Sequence, residues 1–166
     1  MADMAWDDEE EENAQENQYL MFNLGPEVYG VPITHVINII ERQKITEVPD
    51  LPPFIRGVIN LRGSVIPVMD LRLRFNLPFR EYDDRTCTII VKVGALSSGL
   101  ICDTVAEVTR ILPENIEPPV NFRRDLEANH YISGLGKVGE EVRILLDVEK
   151  ILTDEGTAAV QEQKEL

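Results

Sequence analysis

From Tyr19 onward the apolar residues fall in short runs punctuated by Gly and Pro, and no long stripe of period 3.6 appears. Leu20, Phe22 and Leu24 alternate with other side chains up to a Gly25-Pro26 turn, the spacing of a strand. Val28 to Val31 reads as a return strand stopped by Pro32, and Val36 to Ile40 is rich in β-branched residues. Gly57 to Leu61 and Val65 to Met69 flank Arg62-Gly63-Ser64 and predict a hairpin. The pattern is that of an all-β chain of short, tightly turned strands.

The pattern also repeats. Phe54, Ile55, Gly57, Val58, Val65, Val68, Met69, Asp70 and Leu71 match Tyr131, Ile132, Gly134, Leu135, Val142, Leu145, Leu146, Asp147 and Val148 at one constant offset, without a gap. At a second constant offset Leu24, Gly25, Gly30, Val31, Val36 and Ile39 match Val93, Gly94, Gly99, Leu100, Val105 and Val108. Two copies of one supersecondary unit follow, over residues 19–75 and 88–152, joined by a polar connection at 80–85. Each copy offers about five strands and then Asp70 or Asp147, placed to cap a short helical turn. Short strands in this number predict small barrels. Below ~70 to 80 residues one core rarely supplies enough stability, so the two barrels should pack on each other, with a groove between them for a partner.

Charge changes this picture only at the ends. The net charge is −14, but eight acids and no base lie in residues 1–18 and four acids with Lys164 lie in 153–166, leaving the folded part nearly balanced. Residues 1–17 are expected to be a disordered acidic tail, with Trp6 as a possible docking point, and 153–166 a second tail. With 43% hydrophobic residues the chain between them can bury an ordinary core. Acidic tails and no basic surplus argue against nucleic acid and anionic membranes as partners. No apolar run reaches the roughly 18 residues of a membrane span, so the expected location is the cytosol.

Candidate chemistry dissolves on inspection. Gly134-Leu135-Gly136-Lys137-Val138-Gly139 fits GxGxxG, but the segment after it, Glu140 to Leu146, is β-rich where a nucleotide site needs a helix. Gly94 to Gly99 begins like a phosphate loop and ends in Leu100 instead of Lys. His35 and His130 have no nucleophile that a motif singles out, and Asp83 and Asp84 are adjacent on an extended chain, where neighbours point apart. Cys87 and Cys102 show neither CxxC spacing nor a His cluster, so two free thiols and no metal are expected. What remains is recognition surface: Asn60-Leu61-Arg62-Gly63 puts a guanidinium at a hairpin tip, where the other copy, Lys137-Val138-Gly139-Glu140, differs.

At residues 18–152 the chain resembles the CheW family of bacterial chemotaxis coupling proteins. The resemblance rests on Gln18-Tyr19-Leu20-Met21-Phe22, on Tyr29-Gly30-Val31 and on the unbroken run from Phe54 to Arg72. It implies two intertwined SH3-like five-stranded β-barrels with short helical turns, no enzymatic activity and no cofactor. It further implies an adaptor between the regulatory domain of the histidine kinase CheA and the cytoplasmic tips of methyl-accepting chemoreceptors, held at receptor arrays through those partners. Carried over by position, kinase contacts would include Leu20, Ile33, Val36 and Phe122. Receptor contacts would include Asn38, Asn60, Arg62, Gly63, Val105 and Val108. Asn38 departs from the family, since many members carry Glu there and an amide cannot form an ion pair with Arg62. An adaptor of another chemosensory array, such as one governing pilus motility, is the alternative within the class, and a nucleotide-binding enzyme the alternative outside it.

Overall fold

The structure, a computed structural model, describes residues 15–119 and 130–153. Eleven strands are present among them: β1 Gln18–Leu24, β2 Glu27–Pro32, β3 Val36–Glu41, β4 Ile55–Leu61, β5 Ser64–Asp70, β6 Cys87–Val93, β7 Leu96–Cys102, β8 Thr104–Arg110, β9 Ile116–Glu117, β10 Ile132–Val138 and β11 Glu141–Leu146. Two short helices, α1 Leu71–Arg74 and α2 Val148–Thr153, follow β5 and β11. Each starts after the expected aspartate: Asp70 Oδ1 accepts from the Arg72 and Leu73 amides at 2.9 and 3.4 Å, and Asp147 Oδ1 from Lys150 N at 3.0 Å.

The strands form two sheets, ordered β8-β1-β2-β11-β10-β9 and β3-β6-β7-β5-β4. Substituting each strand by its repeat equivalent turns the first five strands of the six-stranded sheet into the second sheet, so the duplication is a structural pseudo-dyad. The contiguous sub-barrels expected at 19–75 and 88–152 are not the observed ones. Each sheet instead takes its first hairpin from one half and its remaining strands from the other. The exchange is stitched by two parallel pairings, Leu145 opposite Gly30 and Val68 opposite Gly99, which occupy equivalent positions of the repeat. The result is two intertwined SH3-like barrels.

Closure is duplicated as well. After β3 the chain crosses to β4 by a Thr46–Val58 bridge with N···O distances of 2.8 and 2.9 Å, as β9 crosses to β10. Gly57 makes the first crossing possible: at φ +141° a Cβ there would lie 2.2 Å from the Thr46 carbonyl oxygen.

Strands β1, β5, β6 and β7 bury side chains on both faces, which sorts them between cores. Leu20, Phe22 and Leu24 join Met69, Leu71, Ile89, Leu100, Tyr131, Leu146 and Ile151 in a core shared by the two barrels. Ile59, Ile66, Val68, Ile90 and Ile101 fill the five-stranded barrel, and Met21, Ile111 and Leu145 the six-stranded one. The interior between the sheets is therefore filled by shared apolar packing, not left open as a groove. At the pseudo-dyad Arg74 lies between the equivalent rings of Phe54 and Tyr131, with its guanidinium carbon 4.4 Å from each centroid.

Of the expected acidic tail, residues 1–14, including Trp6, lie outside the described residues, as do 154–166 of the C-terminal tail. Asn17 is part of the fold, since its carbonyl accepts from Ile111 N at 2.8 Å. Thr153 closes α2.

Candidate functional site

The β4–β5 hairpin brings three of the sequence-derived residues together. Leu61 pairs with Ser64, leaving Arg62 and Gly63 as a two-residue loop with φ of +52° and +87°. Positive φ at both central positions is the signature of a type I′ turn, whose twist suits the flanking strands. The Asn60 side chain fastens it: its Oδ1 accepts from Gly63 N at 2.9 Å. Asn60 thus acts first on the turn, by preparing the tip on which Arg62 stands.

Four hairpins of this fold have two-residue loops, and in three the first loop residue is glycine: Gly25, Gly94 and Gly139, with φ of +59°, +59° and +61°. Arg62 occupies the same position in the fourth. A left-handed backbone costs a residue with a Cβ about 1 to 2 kcal/mol, and the side chain recovers none of it locally. Arg62 is exposed, and among the described residues its guanidinium makes no hydrogen bond or ion pair. Its charge is directed at solvent from a preorganised tip.

The other residues expected to contact the receptor stand apart from this tip. Asn38 is on β3, across the sheet from β4, and its Oδ1 accepts from Ile39 N at 2.9 Å. Val105 and Val108 are on β8 in the other sheet; Val105 packs partly against the shared core, whereas Val108 is 48% exposed. No hydrogen bond or ion pair joins Arg62 to any of the three.

Of the residues expected to contact the kinase, Ile33 and Val36 form a local unit. Ile33 opens a 3-10 turn behind Pro32, Val36 N donates to its carbonyl, and both are half-buried against the shared core with a face left to solvent. Leu20 is a correction. Only 3% exposed, it belongs to the shared core and presents nothing to a partner. Its alternation with Phe22 and Leu24 reports the interior face of β1. Phe122 lies outside the described residues.

Sequence reasoning missed the apolar residues beside Val36. Ile37 and Ile39 on β3 are 55% and 42% exposed, on the edge strand of the five-stranded sheet, where bulky side chains in water mark contact surfaces. Ile39 is the repeat equivalent of Val108, a signal available from the duplication.

Beneath these surfaces a polar clamp ties the exchanged parts together. Asp103 accepts from Arg72 Nε and Nη2 at 2.7 and 2.6 Å and from Gly25 N at 2.8 Å, with Arg80 Nη1 at 3.3 Å. Burial pushes this carboxyl up, but the Arg72 hydrogen bonds, the Gly25 amide and the charges of Arg72 and Arg80 outweigh it and hold the group below the usual range. Tyr82 donates to Asp70 Oδ2 at 2.7 Å, and burial followed by this bond pushes its hydroxyl well up. The GxGxxG segment has no nucleotide geometry: Gly134 and Gly136 lie within β10, Gly139 is in a hairpin loop, and β11 follows. None of the described helices is long and apolar enough to cross a membrane.

Rigid interlocked barrels, an exposed cation on a strained turn and apolar edge residues define a protein built for macromolecular contact. The chain belongs to the CheW-like domain family, which it matches over residues 18–156. It is 38% identical over 143 residues to a chemotaxis protein CheW of Klebsiella aerogenes, covering 86% of either chain. With a chemotaxis protein CheW of Helicobacter pylori the identity is 32% over 143 residues, covering 86% of both chains. The crystal structure of the scaffolding protein TtCheW from Thermoanaerobacter tengcongensis superposes with a TM-score of 0.76 at 34% identity, covering 84% of this chain and 94% of that one.

Proposed function

We propose that this chemotaxis protein is a non-enzymatic cytoplasmic adaptor that couples the cytoplasmic tips of chemoreceptors to the regulatory domain of the histidine kinase CheA, at receptor arrays. The observation that carries this reading is Arg62, held at φ +52° where the equivalent hairpins use glycine, with no hydrogen bond or ion pair to its guanidinium among the described residues. A fork of five donors in that position suits carboxylates or carbonyls of a helical receptor tip. Asn60 and Gly63 shape the tip, and Asn38, Val105 and Val108 extend the receptor side. Ile33 and Val36 supply apolar burial to the kinase, with Phe122 as a further kinase contact.

The test is a titration of Arg62→Glu against purified receptor fragment and kinase regulatory domain. Receptor affinity should fall tenfold or more, since a charge-assisted contact becomes repulsion, while kinase affinity and the melting temperature persist. Equal loss toward both partners, or a clear drop in melting temperature, refutes the assignment. A second reading, an adaptor of a different chemosensory array, is favoured by 30% identity over 138 residues to a relative with another name, Protein FrzA of Myxococcus xanthus. Capture of the cognate kinase from the native lysate separates the two.

A further inference from the structure

Cys87 opens β6, Cys102 closes β7, and the antiparallel register sets them directly opposite each other. They are the chain's two cysteines, and both are free thiols. Both face the shared core: Cys102 lies within it at 2% exposure, and Cys87 packs against it half-buried. Opposed residues on one face of an antiparallel pair have Cα atoms about 4.5 to 5.5 Å apart, inside the ~4.4 to 6.8 Å that a disulfide spans. Each thiol is spent only on a backbone carbonyl, Cys102 on that of Cys87 at 3.6 Å and Cys87 on that of Arg85 at 3.4 Å.

The register also says what kind of bond this would be. Val93 and Leu96 flank a two-residue loop and form a hydrogen-bonded pair, and alternation back along the ladder makes Cys87 and Cys102 such a pair again. Cβ atoms stand farther apart at these positions, so the sulfurs meet only if the strand ends close slightly. The end of the ladder is where that costs least. A bond formed under such tension is readily reduced.

We propose that Cys87 and Cys102 are a peroxide-responsive thiol pair that forms a reversible intramolecular disulfide across β6 and β7. Cys87, the more accessible sulfur, attacks the peroxide oxygen; the O–O bond breaks, giving a sulfenic acid and one water. Cys102 sulfur then attacks Cys87 sulfur. The S–S bond forms, the S–O bond breaks, and hydroxide leaves with the Cys102 proton as a second water. The two sulfurs together lose two electrons, which the peroxide accepts. Burial pushes the Cys102 thiol far up, which suits it to the resolving role and not to first attack.

The experiment treats the reduced full chain with hydrogen peroxide and follows denatured thiol content and intact mass without reductant. Both thiols should disappear together with the loss of two hydrogens, a peptide linking Cys87 to Cys102 should appear, and reduced glutathione should restore the starting mass. In Cys102→Ala, dimedone should trap at least about tenfold more sulfenic acid at Cys87 than in the unaltered chain. A covalent dimer as the main product, sulfinic acid at Cys87 with Cys102 still titrating, or unreacted thiols would each overturn the proposal. Because the readout is chemical, it stands or falls independently of the adaptor reading.

Discussion

Replacing Asp103 by Ala removes a carboxylate that joins three segments distant in sequence: the β1–β2 turn, α1 and the connection before β6. Two charge-assisted bonds from Arg72 at 2.7 and 2.6 Å and one from Gly25 N at 2.8 Å are lost at a carboxylate only 8% exposed. Breaking a buried ion pair from one side costs about 3 to 5 kcal/mol, mainly because the surviving charge is stranded. Arg72 keeps 15% of its side-chain surface and a second acceptor, the Pro78 carbonyl at 3.2 Å, so the lower end applies. A loss of about 3 kcal/mol is expected, and at roughly 4 °C per kcal/mol for a domain of this size the melting temperature falls by about 12 °C. Urea unfolding of Asp103→Ala, Arg72→Met and the double variant measures the coupling directly, and about 2 kcal/mol should be shared between the two sites.

The same clamp has a pH signature. The folded Asp103 carboxyl is held below its unfolded value near ~3.9, so its contribution is complete above that value and is lost as pH falls through the folded one. Acidification below about pH 4 should therefore erode the unaltered chain more than Asp103→Ala, and the two stability curves should converge. A loss under about 1 kcal/mol in Asp103→Ala, or parallel curves in acid, would show that the exchanged hairpins are held by the apolar core alone.

Two further substitutions test the backbone arguments. Arg62→Gly relieves the left-handed strain and adds unfolded-chain entropy, so stability should stay level or rise by up to about 1 kcal/mol while receptor affinity falls at least tenfold; a destabilised fold would contradict the strain argument. Gly57→Ala forces a Cβ to 2.2 Å from the Thr46 carbonyl oxygen at φ +141°, and should cost roughly 3 kcal/mol in urea unfolding by opening the Thr46–Val58 bridge, whereas a loss below about 1 kcal/mol would show that the crossing shifts freely.

Hairpins, caps and duplication were legible because each is local. Asp70 and Asp147 announce their helices by position, and Gly25, Gly94 and Gly139 sit where positive φ is needed. The exchange of hairpins was not legible from the repeat, for a physical reason. When two copies share one pattern, β2 can pair equally well with the β5 of its own copy or with the equivalent β11 of the other, since the contacting residue types are the same. Leu20 was carried to the kinase side by position in the resemblance, and alternation offered no check on it: β1 is covered on both sides, and Leu20 and Met21 are both buried, in different cores. The Cys87–Cys102 juxtaposition escaped because it arises from hairpin register across intervening residues and not from any short spacing.

The exchanged architecture bears on how such a chain could couple two partners. Barrels joined only by a linker would present their surfaces at a variable separation, and contact with one partner would constrain the other weakly. Here each sheet contains strands of both halves, so the halves cannot part without breaking the parallel β2–β11 and β5–β7 pairings, and the two barrels are held together by the apolar core they share. On that rigid frame the pseudo-dyad supplies paired positions, and the copies have diverged at them: Arg62 faces Gly139 in the repeat, Asn38 faces Glu107, and Ile37 faces Ala106. Divergence at the surface with equivalence in the ladders turns one duplicated fold into two unlike surfaces on one shared core.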